Sequence, residues 1–146
     1  MRGCGQRLSK LIQILNTLID VRPFNEVHNG LQPIMIAPTA IIRGTGATFG
    51  MKLIDVPETT GYYNSNLNNK AEATVKALSE EHYDFAFMHI KGVDDAGHDK
   101  SLDIKIEQLE KSDKAIRILI EKLSAVSDSK RQYIVCVTGD HTTPVI

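Results

Sequence analysis

Apolar residues recur along this chain with two different periods, and the alternation between them gives the order of its elements. Leu8, Leu11, Ile12, Leu15, Leu18 and Ile19 fall at three- and four-residue steps, which places one apolar stripe on a helix running from Leu8 to Val21. Pro23 ends that pattern, because it disfavours a helical Arg22 and lacks a backbone donor. Ile34-Met35-Ile36 is a short apolar run, and Pro38 then stands at the first turn of a helix through Ala40, Ile41, Ile42, Phe49 and Met51. Lys52 to Val56 predicts a strand that stops at Pro57, followed by a polar loop over Thr59 to Asn64. Ala71, Val75 and Leu78 share one face of a predicted helix from Leu67 to Leu78. Asp84 to Ile90 is almost continuously apolar, as in an interior parallel strand covered on both faces. The longest helical pattern runs from Leu102 to Leu123, and Gln132 to Val137 predicts a second buried strand.

Strands alternating with helices build a parallel sheet by right-handed crossovers, so the expected fold class is α/β with helices on both faces of the sheet. No repeat, low-complexity tract or long linker divides residues 1–146, and one domain, or part of one, is expected over the whole chain.

Composition narrows the function. With 42% apolar residues in 146 positions the chain can fill one core, and few aromatics make that core aliphatic. A formal net charge of −1 with interspersed signs gives no basic surface for nucleic acid. No apolar run approaches the roughly 20 residues that cross a bilayer. Cys4 and Cys136 have no metal-finger or redox spacing, and Cys136 sits in an apolar strand pattern, which fits a reduced interior residue of a cytoplasmic protein.

Two short motifs carry the chemistry. Asp94-Asp95-Ala96-Gly97-His98 and Gly139-Asp140-His141-Thr142-Thr143-Pro144 each put a carboxylate and an imidazole where a strand should end, the end at which open α/β sheets bind ligands. Asp94 and His98 are one helical turn apart, so both can aim at one ion. Taken singly, each motif has an ordinary structural reading: Asp94 or Asp95 caps the following helix beside a solvated His98, and Asp140-His141 forms a turn before Pro144. Their pairing in one short α/β chain points instead to a metal site with Asp94, His98, Asp140 and His141 as ligands. Lys91, at the strand end before Asp94, and Arg2 are candidates for a substrate carboxylate or phosphate, against a reading as surface cations. Lys70 reads as a helix-face charge and His89 as a packed strand histidine. Gly44-Thr45-Gly46-Ala47-Thr48-Phe49-Gly50 is not a dinucleotide fingerprint, since its third glycine is one place late and no acidic residue follows at the required distance; no nucleotide is expected.

The run His89 to Asp99, the run Thr138 to Val145, and the stretches Arg2 to Gly5, Ile36 to Gly44 and Pro57 to Tyr62 together resemble the archaeal-type cofactor-independent phosphoglycerate mutases of the alkaline phosphatase superfamily. The resemblance leaves out only the Leu8 to Val21 helix. It implies an alkaline-phosphatase-like, incomplete sheet and interconversion of 2-phosphoglycerate and 3-phosphoglycerate through a metal-activated phosphoserine. It implies two divalent ions, Mn or Mg with Zn in the wider superfamily. Asp94 and His98 would serve one ion and Asp140 and His141 the other, with phosphoglycerate as the partner molecule. It also implies that the serine nucleophile, an upstream aspartate and a downstream histidine lie outside this chain, which would make it the carboxyl-terminal portion of such an enzyme, inactive by itself. No serine of the chain takes a catalytic role on this reading. Other readings are a metal-dependent phosphohydrolase of the same superfamily, or a non-catalytic fragment that binds a partner or self-associates through exposed core.

Overall fold

A computed structural model describes residues 21–128 and 131–146. Arg2, Cys4 and the predicted Leu8 to Val21 helix, apart from Val21 itself, lie outside the described residues. The elements in chain order are α1 (Phe24–Val27), β1 (Pro33–Ile36), α2 (Ala40–Thr48), β2 (Lys52–Leu53), α3 (Leu67–Ser79), β3 (Phe85–Met88), α4 (Gly92–His98) and α5 (Leu102–Val126). The fold is α/β, with three parallel strands in the order β2-β1-β3.

β1 is the central strand and is buried along its whole length. Its side chains alternate between two helical layers. Ile34 and Ile36 pack with Ala77 of α3, whereas Met35 points the other way and its methyl lies 2.9 Å from where a Cβ on Gly46 of α2 would stand. Helices therefore cover both faces, as right-handed crossovers leaving β1 in opposite directions require. The strand order reverses at β1, and the carboxyl ends of β1 and β3 open onto that switch point.

A second core lies between helices, where Leu67, Ala71 and Val75 of α3 meet Ala115, Leu119 and Leu123 of α5. α3 begins at Asn66, whose side chain accepts from the Asn69 backbone amide at 3.1 Å and so satisfies one free N–H of the first turn. None of the helices among the described residues is long and apolar enough to cross a membrane.

Two strand expectations are corrected. β3 is an edge strand that pairs with β1 alone, and Phe87 on it is exposed, so it is not covered as an interior strand would be. Residues 132–137 form no strand. They run in irregular, extended backbone with Ile134 97% and Val137 66% exposed, and Cys136 is an exposed free thiol rather than an interior one. Their sequence has the β propensity, but a strand exists only where a neighbour supplies ladder bonds, and none pairs with this run. The two ends of the run are nonetheless fixed. Arg131 Nη1 donates to the Leu78 carbonyl at 2.8 Å, Tyr133 packs on the α3 and α5 core, and Thr143 sits against α4. The segment thus travels from the end of α3 to α4, the course that β3 also takes.

Candidate metal centre

After β3 the chain turns through His89 to Lys91 into α4, a helix short enough that both acidic residues fall in its first turn. Carboxylates are favoured there by the unpaired backbone N–H groups and the positive end of the helix. Asp94 and His98 lie on one face one turn apart, and His98 Nε2 is 3.4 Å from Asp94 Oδ1. In the other motif His141 Nε2 is 3.5 Å from Asp140 Oδ2. Two donors each about 2.1 Å from a shared ion stand about 3.0–3.4 Å apart for octahedral to tetrahedral angles. Both pairs therefore have the spacing of two ligands on one cation.

Thr143 joins the two motifs. Its Oγ1 lies 2.5 Å from Asp94 Oδ1 and 3.3 Å from His141 Nδ1. An ionised carboxylate only accepts, so the single hydroxyl proton goes to Asp94, and the Thr143 oxygen is left to accept from His141 Nδ1–H. That arrangement fixes the tautomer and leaves His141 Nε2, on the Asp140 side, with a free lone pair for a metal. The loop is held from below as well. Lys105 Nζ of α5 donates to the Thr143 carbonyl, and a Cβ on Gly97 would come within 2.7 Å of Thr143 Cγ2. Only glycine at 97 lets the 140–143 loop settle this close to α4.

Charge around Asp94 is locally balanced. Lys91 Nζ pairs with Asp94 Oδ2 at 2.8 Å and Asp95 Oδ1 at 2.7 Å. Lys91 and then Thr143 hold the Asp94 carboxyl down to about 2, while Lys91 itself is raised by the same two carboxylates. The depressed Asp94 stabilises the docked loop wherever it is ionised in both states, above about pH 4, and that contribution is lost as pH falls through about 2. Thr143→Ala is expected to bring Asp94 part of the way back towards 3.8, with Lys91 still holding it below that value. Carboxyl-carbon NMR titration measures this directly, and an unchanged Asp94 midpoint would contradict the bond.

The structure brings together Asp94 with His98 and Asp140 with His141, and connects the pairs through Thr143. Among the described residues no three such donors converge on one point, so each half-site supplies two ligands of a shell that needs more. Lys91 faces Asp94 and Asp95, and Arg2 lies outside the described residues.

Several neighbours were not legible as site residues from motif alone. Thr143 stood inside a quoted motif, yet its bridging role depends on a contact 49 residues away. Lys70 is 1% exposed and is the largest fully buried side chain described, not a solvated helix charge. Its amine donates to the His89 carbonyl at 2.9 Å, at the end of β3. The pattern Leu67, Lys70, Ala71, Thr74, Val75 was the available clue, since steps of three and four put Lys70 on the buried stripe. His89 is half-buried, its Nδ1 has no partner, and burial followed by Lys70 and Lys91 pushes the imidazole below its usual range. Tyr63 OH donates to Asp99 at 2.5 Å, which ties the polar loop before α3 to the end of α4 and pushes the phenol up to about 12.

Comparison with known proteins places this geometry. Residues 17–146 match the model of the Metalloenzyme superfamily. A 2,3-bisphosphoglycerate-independent phosphoglycerate mutase of Methanococcus aeolicus is 36% identical over 126 residues, covering 86% of this chain and 29% of that protein. The protein of the same name from Sulfurisphaera tokodaii is 35% identical over 84% of this chain and 28% of its own length. A solved structure of a Pyrococcus horikoshii protein superposes with a TM-score of 0.65 at 30% identity, over 69% of this chain and 26% of that one. The chain thus spans under a third of the length of the curated relatives it matches. The donor pairs at the sheet's switch point lie within the matched span, and the chain belongs to the Metalloenzyme superfamily.

Proposed function

We propose that this chain carries the metal-binding part of a cofactor-independent phosphoglycerate mutase centre, in a cytoplasmic protein, as part of one domain without an internal boundary. Asp94 and His98 would hold one divalent ion, and Asp140 and His141 the other. The observation that carries this reading is the bridge Asp94–Thr143–His141, which aligns two donor pairs of ligand spacing and presents His141 Nε2 unprotonated. The names of the relatives supply the substrate class. Oxygen donors with imidazole suit Mn or Mg, with Zn used in chemistry of the same kind.

Divalent ions at such a centre offset the charge of a transferring phosphoryl group and lower the pKa of a bound hydroxyl. The chain's own residues supply the positioning. Thr143 sets the His141 tautomer, Lys105 and the bare Gly97 seat the 140–143 loop, and Gln108 packs against Gly92 to seat α4 on α5. Lys91 neutralises Asp94 and Asp95 until a stronger cation competes for Asp94, and it would then be available, with Arg2, for the substrate carboxylate or phosphate. No serine among the described residues touches Asp94, His98, Asp140 or His141 through a hydrogen bond, and no catalytic nucleophile is assigned.

The test is binding and turnover measured on the same preparation. With Mn present, 3-phosphoglycerate is expected to bind saturably, and no 2-phosphoglycerate should form. Formation of 2-phosphoglycerate would show a nucleophile within the chain and overturn the non-catalytic part of the reading. Absence of Mn-dependent phosphoglycerate binding would overturn the mutase part.

A further inference from the structure

The run 132–137 has no ladder, yet its sequence is the most strand-like in the described residues. Gln132-Tyr133-Ile134-Val135-Cys136-Val137 has no charge, proline or glycine, and four of its six residues are β-branched or aromatic. Among the described residues its backbone amides and carbonyls take no hydrogen bond. Both ends are nevertheless fixed to the body, by Arg131 and Tyr133 at one side and by Thr143 at the other. A segment held at both ends, extended and unpaired, has already lost much of the conformational freedom that strand pairing costs.

Its surroundings are also apolar. On α5, Ile106, Leu109 and Ile120 are exposed, and they lie about a quarter-turn from the buried face, on the side where Lys105 reaches the Thr143 carbonyl. The apolar side of the run and this flank of α5 therefore form one uncovered surface, of the kind that marks a contact site.

We infer that this surface is an interface between two copies of the chain, in which the 132–137 run of one copy pairs with the same run of the other. Three features favour a second copy as occupant. The run lacks the charged or proline residues by which natural edges refuse strand addition. Short uncharged segments of high β propensity pair with identical segments, because each supplies the apolar face the other needs. Finally, a two-fold arrangement uses the same patch on both copies, so pairing run to run consumes both and closes as a dimer.

The test combines light scattering over a wide dilution series with amide hydrogen exchange of 132–137. The full chain is expected to shift from monomer to dimer with concentration, and the 132–137 amides should slow in step. Ile134→Lys, at a position 97% exposed in the single chain, is expected to keep the fold by circular dichroism, stay monomeric and exchange fast at every concentration. Ile41→Lys, equally surface-exposed but on α2, serves as control and should dimerise like the parent. Three results would each overturn the inference. These are fast exchange at all concentrations, protection independent of concentration (which would mean cover by the same chain), and open-ended assembly in place of a dimer.

Discussion

Lys70→Met is expected to raise the stability of this protein at neutral pH, although it removes a hydrogen bond. Lys70 is buried on α3 with a single carbonyl acceptor among the described residues, and burial drops its amine from 10.5 to about 8. The ammonium is therefore disfavoured in the folded chain by about 3 kcal/mol relative to the unfolded one. Loss of the bond to His89 gives back about 1 kcal/mol, leaving a net gain of about 2 kcal/mol. The sign with pH is fixed. Below about pH 8 both states carry the proton and the penalty is complete. Between about 8 and 10.5 the unfolded chain binds more protons than the folded one, so the parent gains stability as pH rises and the variant's advantage shrinks. Denaturant unfolding of both proteins across that window measures the effect. A Lys70→Met variant less stable than the parent at pH 7 would mean that the ammonium is compensated by an anionic group.

Gly97→Ala is expected to undo the docking of the second motif on the first. The added methyl would meet the Thr143 carbonyl oxygen and would stand 2.7 Å from Thr143 Cγ2 and 2.9 Å from Thr143 Cβ. Backbone on one side and a β-branched side chain on the other leave nothing free to swing away, and overpacking of this kind costs about 1–3 kcal/mol. The loop should lift from α4, which breaks the Thr143 bond to Asp94 and separates the two donor pairs. Two readouts follow: Asp94 titrates closer to 3.8, and the His141 ring loses its fixed tautomer in nitrogen NMR. Gly92→Ala provides the contrast, because the methyl there meets the end of the Gln108 side chain, with Cδ at 3.1 Å, and that side chain can rotate. An Asp94 midpoint unmoved in Gly97→Ala would show that the loop tolerates displacement without losing the bridge.

The elements most legible in the sequence were those whose stability is local or whose periodicity is long. α5 and α3 appear where steps of three and four predict them, and β1 appears where a short apolar run follows a turn. The sheet was legible as parallel because helices separate its strands. Residues 132–137 show the limit of that reasoning. Apolar β-branched sequence states that a segment can pair, whereas whether it does depends on a neighbouring strand, which no local pattern reports. β3 reads as interior for the same reason and is an edge. In the site, the Asp94, His98, Asp140 and His141 pairs were visible as spacing, but Thr143 became visible only once the chain brought position 143 to position 94. Lys70 was misread because residue type was given more weight than its place on the buried stripe.

The central claim is that the two motifs form one divalent-metal centre. Its most direct test is calorimetric titration of Mn into metal-free protein, beside Asp94→Ala, Asp140→Ala and the double variant. Saturable binding by the parent is predicted, weakened in each single variant and abolished in the double one. Heats indistinguishable between parent and double variant, or no binding by the parent, would contradict the claim and leave the bridged carboxylates and imidazoles as a structural contact alone.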